Sequence, residues 1–122
     1  MTVVLDASAL LAYLQGEAGS EAVQSALAAG AVCGAANWSE VAQKVLAAGG
    51  DWLLARALLG SHDLEVLAVS IDDAEWAAAR WRAGEGLSLA DRLCLALGAR
   101  LQTDVLTADR RWGEAGRIRQ IR

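Results

Sequence analysis

The sequence has no proline and no phenylalanine, one histidine, one tyrosine and two cysteines among its 122 residues. Without proline there is no Pro-rich linker and no collagen-like architecture. The lone histidine, His62, lies in a turn-like Gly60-Ser61-His62-Asp63 and reads as solvent-facing. One imidazole cannot build a zinc site without several other ligands, and no Ser or Cys shares a local motif with it for nucleophilic catalysis. Cys33 and Cys94 stand in apolar segments without a CxxC spacing, so buried free thiols are expected rather than a disulfide. No apolar run approaches the roughly 20 residues of a membrane span. Met1-Thr2-Val3-Val4-Leu5-Asp6 reaches an acid with no basic lead, which reads as no signal peptide and a cytoplasmic protein.

What is present is a core-forming composition. Hydrophobic residues make up 55% and charged residues 21% of the chain, as expected for one compact domain over residues 1–122. The net charge of −4 excludes binding of nucleic acid by bulk positive charge. The basic residues are unevenly placed, however. Arg110, Arg111, Arg117, Arg119 and Arg122 crowd the last stretch, opposed only by Asp109 and Glu114. Either this end is simply solvated, or Arg110 and Arg111 contact phosphates.

Short apolar runs alternate with helical periodicity. Strands are expected at Thr2–Leu5, Ala31–Ala35, Leu64–Val69, Val105–Leu106 and near Ile118–Ile121. Helices are expected over Ser8–Gln15 and Glu17–Ala29. Another opens at Asn37 and stops at the Gly49-Gly50 breaker, and the next covers Trp52–Leu59. Two more start at Asp72 and Ser88, and a helical turn covers Arg110–Glu114. Such alternation implies an α/β fold: a three-layer α/β/α domain with a parallel sheet of about five strands. In such sheets ligands gather at the carboxyl ends of the strands, where strand order reverses.

Four acids fall at that edge. Asp6 follows the first strand, Glu40 lies early in the Asn37 helix, Asp91 early in the Ser88 helix, and Asp109 follows the fourth strand. Singly, each has a structural explanation. Asn37-x-x-Glu40 and Ser88-x-x-Asp91 fit capping boxes, and Asp6 and Asp109 fit caps or turns. Together they are harder to explain that way, because mutually repelling carboxylates cost stability unless a cation compensates. Oxygen-only ligands suit Mg²⁺ or Mn²⁺. No GxGxxG or GxxxxGK[ST] occurs, which removes dinucleotide and P-loop chemistry.

Val3-Val4-Leu5-Asp6-Ala7-Ser8-Ala9, Asn37-Trp38-Ser39-Glu40-Val41, the run from Gly86 to Leu97 around Asp91, and Val105-Leu106-Thr107-Ala108-Asp109-Arg110 occur in that order. With them the chain resembles PIN-domain ribonucleases, specifically VapC-type toxins of bacterial toxin–antitoxin pairs. The resemblance implies a five-stranded parallel sheet between helices and a Mg²⁺-dependent endoribonuclease that is dimeric and inhibited by a cognate antitoxin. Carried over, the family's acids fall on Asp6, Glu40, Asp91 and Asp109, and its neighbouring polar positions on Ser8, Asn37 and Thr107. Asp6 and Asp91 would hold the main ion, and Glu40 and Asp109 would orient water or help hold a second ion. Thr107 or Ser8 would position a water. The lack of Pro and Phe departs from the family and bears on the core, not on the acids.

The alternative is a non-catalytic PIN-like module that binds RNA or protein and keeps its acids as caps. Separately, the Asn37–Leu59 hairpin carries Trp38, Val41, Val45, Leu46, Trp52, Leu53, Leu54, Leu58 and Leu59, more apolar positions than one core stripe uses. That surplus suggests an interface for self-association and for a basic amphipathic antitoxin segment.

Overall fold

The computed structural model describes residues 2–122. Its elements are β1 (Val3–Leu5), α1 (Ala7–Gln15), α2 (Ser20–Ala29), β2 (Ala31–Gly34), α3 (Ala35–Ala47), α4 (Trp52–Gly60), β3 (Leu64–Leu67), α5 (Ile71–Ala79), α6 (Leu89–Leu101), β4 (Val105–Thr107), a 3₁₀ turn (Arg110–Trp112) and β5 (Ile118–Gln120). The strands form one parallel sheet in the order β3-β2-β1-β4-β5. This is the α/β sheet with helices on both faces that the alternating pattern implied.

Alternate residues of each short strand feed opposite layers, as the pleat requires. Leu5, Ala31 and Cys33 join Leu10 of α1, Val23 and Leu27 of α2, Val41 of α3 and Leu59 of α4 in one core. Val4, Val32, Val105 and Ile118 join Cys94, Leu95 and Leu97 of α6 and Trp112 in the other. Gly98 sets the distance on this second side. A Cβ there would collide with the Cγ2 of Val105, so the helix–sheet approach depends on the missing side chain. On the outer face of α6, Arg100 pairs with the buried Asp73 of α5 at 2.9 Å.

Several boundaries differ from the sequence reading. α3 begins at Ala35, directly after β2, with Gly34 as its N-cap, so Asn37 is interior to the helix. α5 begins at Ile71, where Ser70 and Asp73 form a capping box. β3 stops at Leu67 and α2 starts only at Ser20. Both cysteines are free and buried, as expected, and burial pushes the Cys33 thiol up to about 12. His62 is not simply solvent-facing. Its Nε2 lies 2.7 Å from the Tyr13 hydroxyl, and the rings meet edge to face, closing the end of α1 against the loop before β3.

The strand order reverses between β1 and β4. The chain leaves β1 toward β2 and β3, then returns to the other side of β1 through α6. The switch point is therefore the carboxyl ends of β1 and β4, occupied by Asp6 and by Thr107 to Asp109.

Candidate active site

Asp6 is the N-cap of α1, and its carboxylate accepts the Ala9 amide at 2.8 Å. It also accepts the Ser8 hydroxyl at 2.8 Å and the Thr107 hydroxyl at 2.5 Å. Thr107 and Ser8 are wired in turn to the backbone beyond β4. The amide of Asp109 donates to Thr107 Oγ1 at 3.0 Å, and that of Ala108 to Ser8 Oγ at 2.8 Å. Each hydroxyl thus accepts from the β4 loop and donates to Asp6, which fixes the carboxylate against its neighbour strand. With 3% exposure, Asp6 is pushed up from 3.8 to about 6. Burial is the largest cause, and the charge of Asp91 adds to it; the bonds from Thr107, Ala9 and Ser8 pull the other way.

Glu40 reaches the same cleft from α3. Burial raises its carboxyl above the ordinary value and the charge of Asp91 adds to this, opposed by the Asn37 amide and by Lys44. Asn37 is a bridge rather than a cap. Buried in α3, its Nδ2 donates to Glu40 at 3.1 Å and to the carbonyl of Ala90, at the start of α6, at 3.2 Å. It therefore ties the helix bearing Glu40 to the helix bearing Asp91. Its Oδ1 has no partner.

Asp91 does form the capping box expected from Ser88-x-x-Asp91. One oxygen accepts the Ser88 amide at 2.9 Å, leaving the other free. Asp109 caps the 3₁₀ turn and is held by a guanidinium fork. Arg111 donates from Nε at 3.1 Å and from Nη2 at 2.7 Å, with its amide at 3.0 Å. That fork, the largest cause, holds the Asp109 carboxyl below the usual range.

All four acids line one cleft of about 370 Å³, together with Ser8, Lys44, Ser88 and Arg111. Arg110, next in the chain to Asp109, is exposed but does not line the cleft. Among the described residues, no three acids, histidines or cysteines stand close enough to hold one ion. In donor chemistry, though not in spacing, the set suits a hard divalent cation. It is all oxygen, and burial together with the charge of Asp91 disfavours ionisation of Asp6 and Glu40 until positive charge arrives. Lys44 was missed in the sequence, and so was the pairing of Arg111 with Asp109. Lys44 sits one turn beyond Glu40 on α3, an i,i+4 spacing that was legible. The Arg111–Asp109 pair spans two positions, which only the 3₁₀ turn brings face to face.

The fold and the cleft define a class: a parallel α/β domain with an all-oxygen acidic cleft at its topological switch point. The chain belongs to the PIN domain family, whose model matches residues 3–118. Its fold is similar to that of a toxin–antitoxin complex from Klebsiella pneumoniae, at TM-score 0.77 and 18% identity over 98% of both chains. It is also similar to Mycobacterium tuberculosis VapC20, a sarcin–ricin loop cleaving toxin, at TM-score 0.75 and 18% identity over 93% of this chain and 95% of that one. A third similar structure is VapBC2 from Rickettsia felis bound to promoter DNA, at TM-score 0.68 and 10% identity over 98% of both chains. No curated protein matches the chain by sequence. No described helix is long and apolar enough to cross a membrane.

Proposed function

We propose that the chain is a divalent-metal-dependent endoribonuclease, a VapC-type toxin held in check by a cognate antitoxin. The observation that carries this reading is the convergence of Asp6, Glu40, Asp91 and Asp109, from four separate segments, on one cleft. The similar toxin structures support it through their fold. In this reading residues 1–122 act as one PIN domain in the cytoplasm, dimeric, with RNA as substrate.

The residues divide the work. Asp6 and Asp91 would hold the principal Mg²⁺ or Mn²⁺, with Glu40 and Asp109 orienting water or helping to hold a second ion. When bound, the ion supplies charge neutralisation at the scissile phosphate and acidifies water. Thr107 and Ser8 fix the Asp6 carboxylate, so its geometry is set before a ligand arrives. Asn37 sets the spacing between Glu40 and α6. Glu40, raised by burial and by Asp91, is the group suited to accept a proton from attacking water. Arg111, and Arg110 beside it, would meet substrate phosphates.

A second reading has an observation of its own. Asp6, Asp91 and Asp109 all cap helical turns. In a non-catalytic RNA- or protein-binding module those caps would be their whole role. Cleavage of total RNA with mapped ends, in Mg²⁺ and in EDTA, separates the two. Metal-dependent cuts lost in Asp6→Asn support the ribonuclease, and intact RNA at high enzyme concentration overturns it.

A further inference from the structure

A second cleft, of about 460 Å³, lies on the far side of the 3₁₀ turn from the acids. The turn itself divides the two: Arg111 lines the acidic cleft, and the next residue, Trp112, lines this one. Three guanidinium groups, Arg80, Arg82 and Arg117, face it against one acid, Glu85. Glu85 is consumed by Arg80 in a two-pronged pair at 2.7 and 2.9 Å. Among the described residues, Arg82 and Arg117 make no ion pair. An acidic chain of net charge −4 therefore keeps a local cationic cleft with two uncommitted positive groups. Its walls include the ring of Trp76, which is 38% exposed, and Trp112, which is 7% exposed. The indole N–H of Trp112 is buried without an acceptor.

We propose that this cleft is a subsite for an unpaired nucleotide of single-stranded RNA flanking the cleaved bond. The inference rests on the ribonuclease reading for its choice of polymer. Trp76 offers a face for a base to stack on, as aromatic platforms do for single strands. Arg82 and Arg117 neutralise the adjoining phosphates. A strand leaving the acidic cleft passes Arg110 and enters this one, so the arginine-rich last stretch becomes a track with a direction. A duplex holds its bases stacked and cannot offer one to Trp76. The cleft therefore selects unpaired segments.

The test uses the full chain carrying Asp6→Asn, in EDTA, so that binding is read without cleavage. Probes are a fluorescein-labelled single-stranded oligoribonucleotide, the same sequence closed into a duplex, and poly-glutamate, each followed by anisotropy. Arg82→Glu with Arg117→Glu is expected to weaken single-strand binding at least tenfold. It should also flatten the log Kd–log salt slope by about 1.4, the value for two phosphate contacts on a single strand. Trp76→Ala is expected to weaken the single strand while leaving poly-glutamate unchanged. All three side chains are at the surface, so thermal melts near that of the parent are expected to accompany these losses. Unchanged affinity in both variants overturns the subsite, as does tighter binding of duplex or poly-glutamate than of the single strand. The two readings fail separately. If wild type cleaves RNA but the variants bind single strands as tightly as their parent, only the subsite falls. If the variants lose single-strand binding but wild type never cleaves, the ribonuclease falls and the cleft remains an RNA site.

Discussion

Replacing Asp6 by Asn isolates the electrostatic cost built into the acidic cleft. Asp6 is almost fully buried, and its carboxyl is displaced from 3.8 to about 6. At 1.36 kcal/mol per pH unit, the folded state gives up about 3 kcal/mol when this group ionises. The unfolded chain sheds its proton near 3.8, whereas the folded protein holds it until about 6. Stability from this group is therefore fully present below the unfolded value, falls as pH rises toward 6, and stays low above it. Asn cannot ionise, so the variant lacks that slope. Its amide keeps an oxygen for Ala9 and Ser8 but turns an NH₂ toward Thr107, a pH-independent loss of about 1 kcal/mol. The net expectation is a variant about 2 kcal/mol more stable than wild type at pH 7 and slightly less stable at pH 4, with no ribonuclease activity. Urea melts of both proteins across that range measure the crossing directly. At pH 7, Mg²⁺ should raise the wild-type melting temperature by mass action and leave the variant nearly unmoved. Parallel stability–pH curves, or equal Mg²⁺ responses, would refute the reasoning.

Other perturbations test separate parts of the structure. Arg111→Met removes the fork on Asp109, so isothermal titration should show Mg²⁺ binding strengthened severalfold; unchanged affinity means the pair does not compete with the ion. Gly98→Ala drives a methyl into Val105 and should cost about 1 to 3 kcal/mol despite alanine's better helix propensity, read by urea denaturation. Leu53 and Leu54 of α4 are 74% and 68% exposed, so Leu53→Ser with Leu54→Ser should lower the association state in sedimentation while leaving the melt intact. A wild type that is already monomeric at high micromolar concentration removes the hairpin as an interface.

The sequence was most legible where a local period or spacing sufficed. β1 ending at Asp6 was readable from a β-branched run meeting an acid, and the Ser88–Asp91 box from its own spacing. Asn37 was misread because an Asn ahead of an apolar stripe looks like a cap. The helix instead starts at the β2 junction, and its amide is spent on a contact with Ala90, 53 residues away. The Thr107 bond to Asp6 spans 101 residues, and no local pattern encodes it. The hairpin was legible as over-apolar, but which side is buried was not. Trp38 and Trp52 pack edge to face against the core, while Leu46, Leu53 and Leu54 stay outside.

The distance along the chain between Asp6 and Thr107 has a consequence for synthesis. β1 is the central strand, yet one of its two neighbours, β4, is made only after β2, β3 and α1 to α6. Until then the nascent chain has Asp6 but neither the Thr107 hydroxyl that holds it nor Asp109 opposite. Pairing of this separation is slow to form, and it cannot begin before the partner strand exists. A product truncated before Val105 would have three strands of five and no closed cleft. In the proposed ribonuclease, the order of its own residues thus postpones a complete cleft until β4 and the turn after it have been made.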